Sequence, residues 1–174
     1  MQNFQEFLEN SLQQNIKKLV PLTGGASADI NRIILENNNE LIVRRSLSKE
    51  QSVMAVPKKL EAKIQRIVRS NDAPVPEIIF EFSEDEDIGE GYVMEAIPGE
   101  TIPRKILRDD KYKNVRSKLS FEIGRSLATI HQTKLDELTD LDSVTFEETL
   151  KKLYLVYSSF EQPQPVFELS LIHI

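Results

Sequence analysis

The sequence predicts an α+β architecture: a five-stranded antiparallel sheet with one helix, followed by a helical region. Three observations carry this expectation. Aliphatic and β-branched runs separated by turn residues fill the first half, a single basic amphipathic stretch interrupts them, and the apolar period turns helical beyond Pro98-Gly99. An antiparallel sheet with one helix has an open face that needs cover, so a groove between sheet and helices is expected.

The elements follow in order. Phe4, Phe7, Leu8 and Leu12 recur at helical spacing and predict a short amphipathic helix that caps the sheet. Residues 16–20, 30–36 and 40–45 read as strands, with a breaker region at 21–27 and Asn37-Asn38-Asn39, residues that tolerate positive φ, between them. Over residues 53–69, Leu60, Ile64, Ile67 and Val68 form one apolar stripe while Lys58, Lys59, Lys63, Arg66 and Arg69 occupy the rest, which predicts a helix with a basic outer face. Ser70-Asn71-Asp72 ends it, and Pro74 and Pro76 force extended chain into a strand over 77–82. The acidic run 84–87 with Gly89 and Gly91 reads as an exposed turn into a fifth strand over 91–96. Beyond it, Val115, Leu119, Ile123, Leu127 and Ile130 line one helical face on which Gly124 and Ala128 permit close packing, and Leu150, Leu153, Tyr154 and Tyr157 mark a further helix within 146–160. The basic positions between Arg104 and Lys118 read as a solvated helix face. There is no internal repeat.

Composition narrows the chemistry. With 174 residues, one domain or one and a fraction is expected. The 22 Lys+Arg against 28 Asp+Glu give a net charge of −6, which opposes binding to phosphate polymers, so no nucleic acid is expected as partner. The absence of cysteine excludes disulfides, a thiolate nucleophile and Cys-ligated zinc, and two histidines, His131 and His173, exclude a multi-histidine metal site. A reducing cytoplasmic setting is the matching expectation. The first twelve residues lack the basic and apolar regions of a signal peptide, and no apolar run reaches membrane-spanning length, so no membrane partner is expected.

Thr23-Gly24-Gly25-Ala26-Ser27 lies between two expected strands, where glycines let backbone N–H groups converge on an anion. It matches neither the P-loop nor the dinucleotide fingerprint, and an ordinary hairpin turn is the alternative. Arg44 ends the third expected strand and Glu61 sits at the edge of the helical apolar stripe, so an ion pair across the groove can hold the guanidinium toward phosphates. The competing readings make Arg44 a solvated edge-strand cation beside Arg45, and Glu61 a helix-surface neighbour of Lys58 or Gln65. His131 ends an apolar helical face and reads as a hydrogen-bonded core residue, not a catalytic one.

In order and spacing these motifs resemble the aminoglycoside phosphotransferase and choline-kinase-like small-molecule kinases, a branch of the protein-kinase-like fold. Gly24-Gly25-Ala26-Ser27 resembles the family's phosphate loop, and Leu41-Ile42-Val43-Arg44-Arg45 the third-strand motif with the phosphate-binding cation. Glu61 precedes Ala73-Pro74-Val75-Pro76 as the family's helix glutamate precedes its Val-Pro-x-Pro segment. Residues 91–99 resemble the interlobe hinge, and Leu127-Ala128-Thr129-Ile130-His131 the end of the first large C-lobe helix. Arg44, where many relatives carry Lys, resembles the branch of kinase-like domains fused to acyl-CoA dehydrogenases.

The resemblance implies a kinase-like N-lobe with its N-terminal helix over 1–97, a hinge exit and partial C-lobe over 98–168, and a tail, 169–174. That tail resembles translated adapter sequence, with an authentic short helix as the alternative. It also implies ATP or GTP with Mg²⁺ and a small-molecule hydroxyl as acceptor. The nucleotide would meet Gly24, Gly25, Ala26, Ser27, Arg44 and Glu61. Its adenine would meet the main chain of Glu95 and Ile97, with Met94 behind and Ile33 or Ile42 as walls. The family's His-Gly-Asp-x-x-x-x-Asn loop and its magnesium aspartate have no counterpart here: His131 is followed by Gln132-Thr133 and His173 by Ile174. The chain therefore reads as an N-terminal fragment, inactive alone. A non-catalytic nucleotide-binding module and a protein-interaction domain are the alternatives.

Overall fold

A computed structural model of the chain describes residues 3–22, 29–46, 56–83, 87–134, 136 and 145–159. Helix α1, Phe4–Leu12, begins where the Asn3 side chain accepts the Gln5 N–H and ends at Gln13 in the left-handed region. Strands β1 (Ile16–Pro21), β2 (Asp29–Leu35) and β3 (Glu40–Ser46) follow; the β2–β3 turn uses Asn38 at φ 62°. Then come helix α2 (Lys58–Ser70), strands β4 (Ile78–Ser83) and β5 (Glu90–Glu95), helix α3 (Pro103–Arg108), a 3₁₀ turn (Asp110–Tyr112) and helix α4 (Lys113–His131). The five strands form one antiparallel sheet in the order β1-β2-β3-β5-β4, as the strand runs predict. That order puts β3 at the centre, so Arg44 is not an edge-strand cation.

Register decides what each face carries. Ile30, Arg44 and Tyr92 are aligned across β2, β3 and β5, as are Asn31, Val43 and Val93 one residue further along. Because side chains alternate between faces, the two rows point to opposite sides. On one side Leu8 of α1 packs with Ile33, Leu35, Val43, Phe82 and Val93 into the main core. α1 thus caps the sheet as its apolar spacing predicts. On the other side α2 packs Ala62 against Ile78 and Tyr92, with Met94 alongside. Ile33 belongs to the α1 core, so its expected place as a wall of the adenine pocket is corrected: the one-residue offset from Ile34 sends it to the opposite face.

Three further expectations change. Lys58 does not lie on a solvated basic face; it is 4% exposed and ion-paired. Arg66 and Arg69 also fold back, onto Glu81 of β4 and onto Glu77 and Glu95. Of the two lysines that open α2, Lys58 is buried and Lys59 is exposed, because the helix lies with its Lys58–Ala62 edge toward the sheet. Helix α4 forms where its period predicts, but Val115, Ile123 and Leu127 are exposed and Gly124 faces open space. Close packing at Gly124 is absent among the described residues of this unit. His131 is exposed at the end of α4, not in a core, because the apolar face it terminates is itself uncovered.

The chain divides into two compact units, 1–138 and 139–174. The second contains α5, Phe146–Ser158, which starts with a capping box: Thr145 accepts the Glu148 N–H and the Glu148 carboxylate accepts the Thr145 N–H. Residues 169–174, Gln162-Pro163-Gln164-Pro165 and most of the 84–87 turn lie outside the described residues.

Candidate functional site

The cleft lies on the α2 side of the sheet. It encloses about 860 Å³ between Ile30, Arg44, Tyr92 and Met94 of the sheet, Lys58, Glu61, Ile64 and Gln65 of α2, and Val75 and Pro76, with Ile130 of α4 at its border. The groove between sheet and helices is therefore present.

At its centre is Glu61. Arg44 Nε donates to Glu61 Oε2 at 3.0 Å, Lys58 Nζ donates to Oε1 at 2.8 Å, and the Tyr92 hydroxyl donates to Oε2 at 3.3 Å. The strand register explains the convergence: Arg44 and Tyr92 are direct partners on β3 and β5, and both project toward the first turn of α2. Lys58 reaches Glu61 by the i,i+3 spacing of that turn. The Gln65 alternative is excluded, since Gln65 donates to the Pro76 carbonyl and contacts Met94 Sδ.

Burial works to raise the Glu61 pKa, but the bonds from Lys58 and Arg44 outweigh it and hold the carboxyl below its ordinary value. Burial, and then the Glu61 charge, push the Tyr92 phenol up to about 12, so it stays a donor. The side chains of Arg44 and Glu61 are each 24% exposed, which leaves the guanidinium open to the cleft. Its two terminal nitrogens have no partner among the described residues. Arg45, one residue on, serves the other face: it donates to Asp29 at 2.8 Å and lies 3.6 Å over the Phe4 ring, tying α1 to the sheet.

The expected hinge residues divide. Met94 lines the cleft, opposite Ile42 of β3. Glu95 donates its N–H to the Glu77 carbonyl at 2.9 Å, and its carboxylate turns to the Glu77 N–H and Arg69. Ile97 is exposed beyond the end of β5 and donates to no described residue. Gly24, Gly25, Ala26 and Ser27 lie outside the described residues. The Leu22 N–H bonds the Ile30 carbonyl at 2.8 Å, so β1 stays tied to β2 at Ile30, a residue that lines the cleft.

The donor set fits a phosphate-bearing ligand. Of the three charged groups, two are cations and one is an anion, and the apolar residues Ile30, Ile64, Val75 and Met94 suit a planar base. It does not fit a resident metal: the described residues contain no group of three His, Asp or Glu able to hold one.

Residues 18–169 of the sequence match the phosphotransferase enzyme family. The chain belongs to that family. The match is to the family and not to a branch of it, and comparison with curated proteins returns no match. A kinase-like phosphotransferase is what the family implies in general.

The roles of two partners of Glu61 were not legible in the sequence. The sequence offers Lys58 only as a helix-surface neighbour of Glu61, because one charged residue in a basic helix looks like the others, whereas the lysine is buried. The available signal was its i,i+3 position before Glu61. Tyr92 was hidden inside an apolar strand, and its signal was the period of two that puts it on the face of Met94.

Proposed function

We propose that this chain carries the nucleotide-binding part of an ATP- or GTP-dependent phosphotransferase that acts on a small-molecule hydroxyl. The single observation behind this reading is the Arg44–Glu61 pair at 3.0 Å, made between a central strand and the helix over it, in a cleft with an apolar wall. Arg44 would meet the nucleotide phosphates through its terminal nitrogens, a planar fork that suits phosphate oxygens. Gly24 to Ser27 would add main-chain N–H donors. The Glu95 carbonyl and the Ile97 N–H would receive the base, with Met94 behind it. A bound nucleotide supplies the transferable phosphoryl group; Mg²⁺ belongs to this reading as its counter-ion, without ligands assigned among the described residues.

Phosphoryl transfer needs a group that takes the acceptor proton. The family's His-Gly-Asp-x-x-x-x-Asn sequence is not among these 174 residues. The chain as given is therefore expected to bind nucleotide without transferring phosphate, which keeps a non-catalytic nucleotide-binding module as the second reading. The kinase-like lobe division near residue 97 is part of the same proposal, as is a cytoplasmic setting.

Thermal unfolding with added nucleotide tests it. At a hundredfold excess over Kd, ATP or GTP should stabilise the chain by about 2.7 kcal/mol. Arg44→Ala should abolish the shift while the variant still unfolds cooperatively. An unchanged shift in Arg44→Ala would remove Arg44 from the site and the reading with it.

A further inference from the structure

We propose that Lys58, with the Tyr92 hydroxyl, is the resident partner of Glu61, and that this pairing leaves the Arg44 guanidinium free to turn onto a polyphosphate. The inference rests on the nucleotide reading above and assigns Lys58 as a positioning residue.

The three donors to Glu61 are divided between its two oxygens. Lys58 Nζ takes Oε1 at 2.8 Å, while Arg44 Nε at 3.0 Å and the Tyr92 hydroxyl at 3.3 Å share Oε2. If Arg44 leaves, each oxygen keeps one donor. A carboxylate held by Arg44 alone would instead be left partly buried and unpaired, and that penalty would oppose any movement of the guanidinium toward a ligand.

Lys58 is suited to the resident role and Arg44 to the mobile one. The Lys58 side chain is 5% exposed, an unusual state for a lysine unless it is paired, and its ammonium also lies 3.5 Å from the Val56 carbonyl. It stands on the same helical turn as Glu61, so the two move as one unit with α2. Arg44 comes from β3, is more exposed, and has two terminal nitrogens without a described partner. With Glu61 neutralised by Lys58, the trio keeps one net positive charge, and that charge sits on the group that faces the cleft.

The test uses the full chain and two probes, ATP and inorganic tripolyphosphate. Nitrogen-15 spectra follow the Arg44 Nε–H and the Lys58 Nζ of the wild-type chain as each probe is added. The expected result is a shift of Arg44 Nε–H with Lys58 Nζ unmoved. Lys58→Met should weaken tripolyphosphate binding on the order of tenfold, and Lys58→Arg should restore most of it. A Lys58 signal that moves on binding, meaning that lysine itself meets the phosphates, overturns the proposal. So does an Arg44 signal that stays fixed, or a folded Lys58→Met chain that binds as tightly as wild type. The wild-type spectra decide the matter even if Lys58→Met does not fold. Failure of the wild-type chain to bind either probe overturns the nucleotide reading and this inference together, whereas binding abolished by Arg44→Ala with the wrong spectral pattern overturns this inference alone.

Discussion

Glu61 shows how two cations, working against burial, set the ionisation of one carboxyl. Its pKa is lower in the fold than in the unfolded chain, so the stability it contributes is complete above the ordinary carboxylate value of about 4.3 and is lost as pH falls through the lower folded value. Glu61→Gln should therefore cost about 1.5–3 kcal/mol near neutrality, the range for a lost hydrogen bond to charged groups. The gap between the two proteins should narrow as pH drops from about 6 to about 3. Denaturant midpoints measured across that range check this, and a gap that does not change with pH would mean that the carboxylate charge contributes nothing to the fold. Arg44 and Arg45 make a related point. Adjacent in sequence and identical in chemistry, they face opposite sides of the sheet, one toward the cleft and one toward Phe4 and Asp29.

Among the elements, β5 has the tightest requirement. A Cβ on Gly91 would lie 2.5 Å from Phe82 Cζ, 2.6 Å from the Arg44 carbonyl oxygen and 2.8 Å from Arg45 Cβ. The backbone contact cannot yield without moving β3, the strand that carries Arg44. Gly91→Ala is thus expected to destabilise by about 1–3 kcal/mol through overpacking, and to weaken nucleotide binding as well by displacing Arg44. Calorimetry of the variant with and without ATP measures both effects; normal stability would show that Phe82 and β3 adjust freely. The glycine was legible in the sequence only as a turn residue near the start of a strand. Its function as a space between two side chains and a neighbouring strand depends on the β3–β5–β4 register, which no local pattern contains. Helix α2 was likewise legible in extent, because Ser70-Asn71-Asp72 and the prolines stop it, but not in rotation. A stripe of Leu60, Ile64, Ile67 and Val68 is compatible with several seatings, and the one adopted packs Ala62 on Ile78 and Tyr92 and turns Lys58 inward, where Glu61 and the Val56 carbonyl accept its ammonium.

Across the first unit, α1 and α2 cover opposite faces of the sheet, and the main core lies on the α1 side, away from the cleft. This separation predicts that core damage and site damage can be uncoupled. Leu8 has no exposed surface, and Leu8→Ala should cost about 2–5 kcal/mol, the usual penalty for a large-to-small change in a packed core. Nucleotide affinity of the folded fraction should stay the same. Chemical denaturation alongside a binding titration at low temperature tests the pair of outcomes; a loss of affinity parallel to the loss of stability would mean that α1 helps to hold the cleft. On the same reasoning, the exposed apolar face of α4 does not contribute to this core, and substitutions at Phe121, which is 71% exposed, should leave the sheet's stability unchanged.

What could be known from the string of residues was local: where each strand and helix runs, since apolar periods of two and of about 3.6 depend only on nearest neighbours along the chain; that Arg44 meets Glu61 was one reading among others until the fold put them together. The pairing of Tyr92 with that glutamate, the burial of Lys58, the placement of Ile33 away from the cleft, the need for Gly91 and the exposure of α4 were settled by strand register and helix seating. Those are contacts between segments far apart in sequence, and burial, which drives them, is a property of the assembled surfaces and not of any one segment.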